Sequence, residues 1–122
     1  MLGGLALSGC FVDTARVAST GRITVRWSIA GAFDPNACRQ MNAAAFHVGL
    51  NLLDGGFAGE YAQTCNAFAT TIDLLPGRYS ATARLEDPAG RPRTTTITLA
   101  PFTVLSDTNL TLDVDFPRES FF

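Results

Sequence analysis

Lysine is absent from this 122-residue sequence, and all nine basic residues are arginines. The absence excludes chemistry that depends on a lysine amine, such as Schiff-base formation or the lysine of a phosphate-binding loop. Charged residues make up only 16% of the chain, against about 25% in a typical soluble domain. Because the net charge is −2, the chain has no basic excess of the kind that binds nucleic acid. We therefore expect no nucleic acid partner.

Metal ligands and long apolar runs are also scarce. No stretch of about 18 consecutive apolar residues is present, so the sequence predicts no transmembrane helix. The only histidine is His47, which lies in a predicted strand without a catalytic partner. Asp113 and Asp115 share a strand face, but no Asp-rich loop supplies the about six to eight oxygens that calcium takes, and a solvated face is favoured. We predict no metal, no cofactor and no enzymatic activity.

The sequence does contain three cysteines, an odd number that leaves one over in a secreted domain. Residues 1–10, MLGGLALSGC, resemble the end of a bacterial lipoprotein signal peptide, in which small residues precede a cysteine that carries lipid. The resemblance implies that residues 1–9 are a signal-peptide remnant and that Cys10 is the lipidation site. Residues 10–21 then form a lipidated tether. A short apolar leader with an unrelated cysteine is the alternative.

If Cys10 carries lipid, Cys38 and Cys65 remain as a pair, and we predict a disulfide between them. Disulfides persist in oxidising compartments, so this pairing favours the periplasm or the cell surface. A zinc site is the alternative, but one histidine and two cysteines without a C-x-x-C spacing fall short of the usual set of about four ligands.

Most of the remaining chain alternates apolar and polar residues with the period of 2 that is typical of half-buried β-strands. Asp34-Pro35 breaks the alternation and predicts a short helix or capped turn, residues 66–73 are expected to form a connection, and Pro101 is expected to end a strand. Trp27 lies on an apolar strand face, which predicts a core position. The segments that alternate or continue a strand are 22–29, 45–53, 57–65, 79–86, 94–99, 102–105 and 110–116.

About seven short strands with one short helical excursion predict an all-β fold, a single antiparallel β-sandwich. We place this domain at residues 22–117, followed by a C-terminal tail at 118–122. The tail ends in Phe121-Phe122. This pair either packs on the sandwich or binds a partner.

The stretch that organises the domain is IDLLPGRYSATARLEDPAG, residues 72–90. Pro76-Gly77 predicts a type II turn with positive φ at Gly77, and Asp87 to Gly90 predicts a second turn. Its LPGRYSATARLEDPAG part resembles the core of transthyretin-like β-sandwiches, including carboxypeptidase-regulatory-like and Cna-B-like domains. The resemblance implies a transthyretin-like or Ig-like sandwich. Some Cna-B-like domains carry a lysine-derived isopeptide bond, which this chain cannot form.

Together these features predict a non-enzymatic lipoprotein anchored at the outer membrane, facing the periplasm or the cell surface, with a structural or protein-binding role. A carbohydrate-binding module is the alternative, because related sandwiches bind glycans. Phe57 and Tyr61, beside the hairpin signal Asp54-Gly55-Gly56, form the predicted ligand platform. The competing interpretation is that both rings pack under the hairpin.

Overall fold

The structure, a computed structural model, describes residues 19–122. The predicted signal-peptide remnant, the predicted lipidation site Cys10 and residues 10–18 of the predicted tether lie outside the described residues. Short 3-10 turns occupy Cys65–Ala67 and Arg118–Ser120. The main elements are β1 (Gly21–Ile29), α1 (Pro35–Gln40), β2 (Ala45–Leu52), β3 (Phe57–Thr64), β4 (Ala69–Leu74), β5 (Gly77–Glu86), β6 (Ile97–Val104) and β7 (Asn109–Phe116).

Seven strands form two sheets, with the orders β4-β1-β7 and β3-β2-β5-β6. The predicted all-β sandwich is confirmed. One pairing departs from the antiparallel pattern: β1 and β7 run parallel, from Arg22 opposite Asn109 to Ile29 opposite Phe116. Alternation along a strand reports which side chains face the core, but it carries no information on the direction of the neighbouring strand.

The core lies between the sheets and is built from the inward residues of the alternating strands. In β1 the buried positions are Ile23, Val25, Trp27 and Ile29, separated by more exposed residues. The Trp27 ring stacks on Phe46 of β2, with 3.9 Å between ring centroids and an interplanar angle of 3°. The predicted core position of Trp27 is confirmed.

The helix α1 begins as its capping signal predicts. The Asp34 side chain accepts a hydrogen bond from the backbone N–H of Asn36 at 2.9 Å, and Pro35 occupies the first helical position. Cys38 is the buried residue of α1 and forms a disulfide with Cys65, with 6.1 Å between the two Cα atoms. The predicted disulfide is confirmed, and it fastens α1 to the turn between β3 and β4.

Three local predictions are wrong. Residues 66–73 are not a plain connection, because a turn at 65–67 leads into the strand β4. Pro101 does not end a strand, since β6 runs through it. Proline is tolerated there because β6 is an edge strand and its register shifts opposite Tyr79 to Ala81. Gly77 does not take a positive φ and instead begins β5.

The segment before β6 also differs from its prediction. Thr94 is buried and outside β6, and its hydroxyl accepts a hydrogen bond from the backbone N–H of Leu85 at 3.0 Å. The C-terminal tail packs beside it, because Thr94 bridges to Phe121 and the Thr95 N–H donates to the carbonyl of Ser120 at 2.8 Å. Phe121 packs against the core, whereas Phe122 is exposed.

The helices within residues 19–122 are all too short or too polar to cross a membrane.

Replacing both cysteines of the disulfide, as Cys38→Ala with Cys65→Ala, is expected to lower the free energy of unfolding by about 3.6 kcal/mol, because the bond closes a long loop in the unfolded chain. Denaturant unfolding of the oxidised protein and the double variant measures the difference. Cys10→Ser, which lies outside that loop, is the matched control and should unfold like the parent. An unchanged midpoint for the double variant would contradict the prediction.

Candidate functional site

One end of the sandwich gathers the loops that carry exposed apolar residues. The register places Gly21 opposite Leu74, Leu52 opposite Tyr79 and Gly77 opposite Val104. One end of the sandwich therefore holds the first residues of four strands (β1, β3, β5 and β7) and the last residues of the other three (β2, β4 and β6). We call this the loop end, made of residues 19–20, 53–57, 75–76 and 105–108. The helix end, opposite, carries α1, the disulfide and the C-terminal tail.

Each of the three loops at this end begins with an exposed leucine. Leu53, Leu75 and Leu105 are 40%, 61% and 59% exposed, and Phe57 beside them is 71% exposed. Most of the large hydrophobic side chains that are exposed in residues 19–122 thus lie at the loop end. The exposed set is Leu53, Phe57, Leu75 and Leu105 at the loop end, with Phe33 and Phe122 at the helix end. This concentration makes the loop end the candidate interaction surface of the described residues.

A sequence signal for these leucines exists, although the sequence analysis missed it. Each one follows an apolar residue at a strand end, in the pairs Leu52-Leu53, Leu74-Leu75 and Val104-Leu105. Because successive side chains of a strand point to opposite faces, one member of each pair points inward and the other must point out. Leu74 and Val104 are buried, and each is followed by an exposed leucine.

Hydrogen bonds hold the backbone of all three leucines. The N–H of Leu53 donates to the carbonyl of Arg78 at 2.9 Å. The hydroxyl of Tyr79 donates to the carbonyl of Leu75 at 2.6 Å, and the hydroxyl of Thr108 donates to the carbonyl of Leu105 at 2.7 Å. The loops therefore present their leucines on hydrogen-bonded turns.

Tyr79 connects the loop end to the core. Its ring is buried and stacks on Phe102 with 5.9 Å between centroids. Burial, and to a lesser extent the neighbouring Tyr61, raises the pKa of the Tyr79 phenol. A phenol is protonated at neutral pH at its ordinary pKa, and this shift acts in the same direction, so the Tyr79 hydroxyl donates its proton to the carbonyl of Leu75.

The strand β1 starts inside the loop end. The Asp107 N–H donates to the carbonyl of Thr20 at 2.9 Å, and the Arg22 N–H donates to the carbonyl of Thr108 at 2.8 Å. Gly21 permits this approach, because a Cβ there would lie 2.2 Å from the carbonyl oxygen of Leu105. The described chain therefore enters the sandwich beside an exposed leucine.

A shallow groove of about 530 Å³ runs from the loop end between the edge strands β3 and β4. Both residues of the predicted ligand platform line it, Phe57 exposed and Tyr61 half-buried. The Tyr61 ring leans over Gly59, where a Cβ would lie 2.9 Å from the Tyr61 hydroxyl. The structure thus brings the two aromatics into one groove, with Phe57 as its open member. Leu52, Leu74, Leu75, Pro76 and Tyr79 also line the groove.

Charges at the loop end are nearly balanced. Arg22 and Asp73 form an ion pair at 2.9 Å with both side chains more than half exposed, and such exposed pairs contribute little to stability. The charged residues of the loop end itself are Asp54 and Asp107, and Arg78 lies next to it in β5; all three are exposed. The surface is therefore apolar without a strong field of either sign.

The remaining candidate residues lie elsewhere and have structural partners. Asp113 pairs with Arg26 at 2.8 Å, and Asp115 accepts hydrogen bonds from the Ser28 hydroxyl and the Gly31 N–H, each at 2.8 Å. Both aspartates are exposed, which confirms the predicted solvated face. Within residues 19–122, no group of three or more His, Cys, Asp or Glu side chains is arranged to hold a metal ion.

His47 lies on the side of β2 that faces away from the core. Its Nε2 is 3.7 Å from a carboxylate oxygen of Glu60, and its Nδ1 has no hydrogen-bond partner among the described residues. It is remote in the fold from the loop end, because it pairs with Ala62 and Arg84 in the middle of the four-stranded sheet.

Asp87 has a structural role at the helix end, in the turn predicted after β5. Its carboxylate accepts hydrogen bonds from the backbone N–H groups of Arg91 and Ala89, each at 2.9 Å. These bonds, first that from Arg91, hold the pKa of Asp87 below its usual value. The turn itself closes by a bond from the Gly90 N–H to the carbonyl of Asp87 at 2.9 Å.

Comparison with known proteins adds one structural likeness. The sequence matches no protein-family model and no curated protein. Among solved structures, the chain is similar to a leucine-rich repeat protein from Bacteroides thetaiotaomicron, with a TM-score of 0.50 and 16% sequence identity. The match covers 95% of this chain and only 15% of that protein. At this identity the likeness bears on the fold alone.

Polar substitution of the exposed loop-end residues is expected to leave folding intact. Phe57→Ser and Leu75→Ser should each change the free energy of unfolding by no more than about 0.5 kcal/mol, as surface substitutions generally do. Leu50→Ala, at a fully buried position of β2, is the matched control and should cost about 2–5 kcal/mol. Denaturant unfolding compares the three. A loss for Phe57→Ser or Leu75→Ser as large as that of the control would show that the exposed residues stabilise the fold.

Proposed function

We propose that this chain is a non-enzymatic lipoprotein of the cell envelope, anchored at the outer membrane through lipid on Cys10. Its β-sandwich, of the transthyretin-like kind that residues 75–90 resemble, has a structural or protein-binding role. The observation that carries the proposal is the disulfide between Cys38 and Cys65. Because the chain has three cysteines, that bond leaves Cys10 over, at the end of its lipoprotein-like motif.

The disulfide also supports the compartment. A disulfide is stable in the periplasm or at the cell surface, whereas the cytosol keeps most thiols reduced. Cys38 and Cys65 are both buried in the sandwich, where they join α1 to the β3–β4 connection. This is the pattern of a structural bond in an exported domain.

A binding role is supported by the exposed apolar residues at both ends of the sandwich. The loop end carries the three leucines and Phe57, and the helix end carries Phe33 and Phe122. The core does not need these side chains, because they lie outside it. Apolar groups that a fold exposes without using them in its core are typical of surfaces that meet another molecule.

The anchor is tested by fractionating cells of the native host and measuring the intact mass of the recovered protein. The parent chain is expected in the membrane fraction, with acyl groups on Cys10 and two fewer hydrogens for the disulfide. Cys10→Ser should move the protein to a soluble fraction and remove the acyl mass. The matched control is Cys38→Ala with Cys65→Ala, which should keep the acyl mass.

Recovery of the parent chain in the cytosolic fraction, with three free thiols and residues 1–9 still attached, would overturn the proposal.

The second candidate function is a carbohydrate-binding module of the cell surface. It is favoured by one observation, the Phe57 ring, which is exposed beside Tyr61 in the edge groove. Sugar rings stack on exposed aromatic faces, and Phe57 offers such a face. The protein-binding role stands first because apolar side chains are exposed at both ends of the sandwich, outside this groove as well as in it.

Glycan binding is tested on an array of bacterial surface polysaccharides. Phe57→Ala should abolish binding if the groove holds the sugar, because the open stacking surface is removed. Phe33→Ala, an exposed aromatic at the helix end, is the control and should bind like the parent. Absence of binding by the parent, or equal binding by both variants, would exclude the groove as a sugar site.

A further inference from the structure

We propose that the loop end rests on the surface of the bilayer that holds the lipid anchor, with Leu53, Leu75 and Leu105 inserted among the lipid headgroups. The inference rests on the proposed function, because it presupposes an anchor that precedes β1. It assigns an orientation to the domain and a lipid surface as the occupant of the loop end.

The first support is the place where the chain enters the sandwich. Thr20 is hydrogen-bonded to Asp107 within the loop end, and Cys10 precedes it by ten residues. A segment of that length reaches at most about 33–36 Å when fully extended. The tether therefore joins the domain at the loop end, and a bilayer that holds the anchor lies within reach of that end.

The second support is the chemistry of the surface. Leucine and phenylalanine side chains enter the boundary between headgroups and acyl chains, and an anchor of lipid is strengthened by a second membrane contact. The loop leucines come from three separate loops and are all exposed. Their hydrogen-bonded backbones present them without a folding step.

The charged residues in and around the loop end indicate that its contact with lipid is apolar and not electrostatic. The loop end carries Asp54 and Asp107, and Arg22, Asp73 and Arg78 lie in the strands beside it, so this region has no basic excess that would draw it to anionic lipid. The contact is apolar, and we expect it to be insensitive to salt and to the fraction of anionic lipid. A glycan or soluble protein partner would not require this surface to lie beside the tether.

This orientation leaves the helix end facing away from the membrane. Phe33 and Phe122 are exposed there, and α1 and the disulfide lie beside them. The helix end is then the surface open to the protein partner of the proposed function.

Tryptophan reporters test the orientation. Leu75→Trp and Leu105→Trp place a probe at the loop end, and Phe33→Trp and Phe122→Trp are the matched controls at the helix end. The single native tryptophan, Trp27, is fully buried and supplies a constant background. The lipidated protein is placed in vesicles of phosphatidylethanolamine and phosphatidylglycerol, with or without bromine on the acyl chains.

The loop-end probes are expected to lose emission in brominated vesicles and to shift to shorter wavelength, while the helix-end probes keep the emission seen without bromine. Equal quenching at both ends, or none at the loop end, would overturn the proposal. Quenching that disappears in vesicles without phosphatidylglycerol would also overturn the proposal, because attraction to anionic lipid would then hold the loop end on the membrane. A wavelength shift of the loop-end probes that grows with protein concentration in the absence of vesicles would identify a second copy as the occupant.

An artificial attachment to the vesicle tests docking of the loop end independently of the proposed lipid on Cys10. The full chain with Cys10→Ser and a hexahistidine segment before residue 1 is held on vesicles that contain a nickel-chelating lipid. Loop-end quenching on this tether supports docking whatever the native state of Cys10. Its absence overturns docking even where mass measurement has established the lipid on Cys10.

Discussion

The sandwich depends on the contact between Trp27 and Phe46. Trp27 belongs to the three-stranded sheet and Phe46 to the four-stranded sheet, and their rings lie parallel with 3.9 Å between centroids. The Trp27 Nε1–H donates to the carbonyl of Cys65 at 2.8 Å, which satisfies a buried polar group that would otherwise be costly. Cys65 is in turn bonded to Cys38. One side chain thus joins the two sheets to the covalent crosslink.

This contact gives the two ends of the sandwich different characters. At the helix end, α1, the disulfide and the C-terminal tail cover the core beside Trp27, and Phe116 packs edge-on against Phe46 with 6.2 Å between centroids. At the loop end, the turns are held by backbone hydrogen bonds and their leucines point outward. The exposed leucines lie outside the core, so the loop end exposes apolar residues without loss to the core. That division underlies both proposals.

Local sequence signals predicted most elements because they act over a few residues. Alternation located β1, β2, β5 and β7, and the Asp34-Pro35 pair located the start of α1. β4 was missed because only its last residues, around Ile72 and Leu74, alternate in burial. The prediction that Pro101 ends a strand is wrong because proline is tolerated there through an edge position and a register shift, and neither can be seen along the chain.

The candidate site was predicted in part. The sequence indicated Phe57 and Tyr61 from the glycine-rich hairpin, and the structure places both in one groove. It did not indicate that Tyr61 lies half-buried over Gly59, since that depends on the positive φ of Gly59. Nor did it group Leu53, Leu75 and Leu105, which are far apart in the chain and share one end of the sandwich only because their strands end there.

By itself, the sequence determined the strand-rich class, the inward position of Trp27 and the capped start of α1, and it predicted the pairing of Cys38 with Cys65 on the condition that Cys10 carries lipid. These follow from side-chain period, local capping and the number of cysteines, which require no knowledge of distant neighbours. Only the tertiary structure decided the parallel pairing of β1 with β7, the position of Pro101 at an edge, and the placement of three exposed leucines at one end of the sandwich. The physical reason is that strand direction and partner are chosen by packing across the whole sandwich, so residues far apart in sequence become neighbours only when both sheets close on the core.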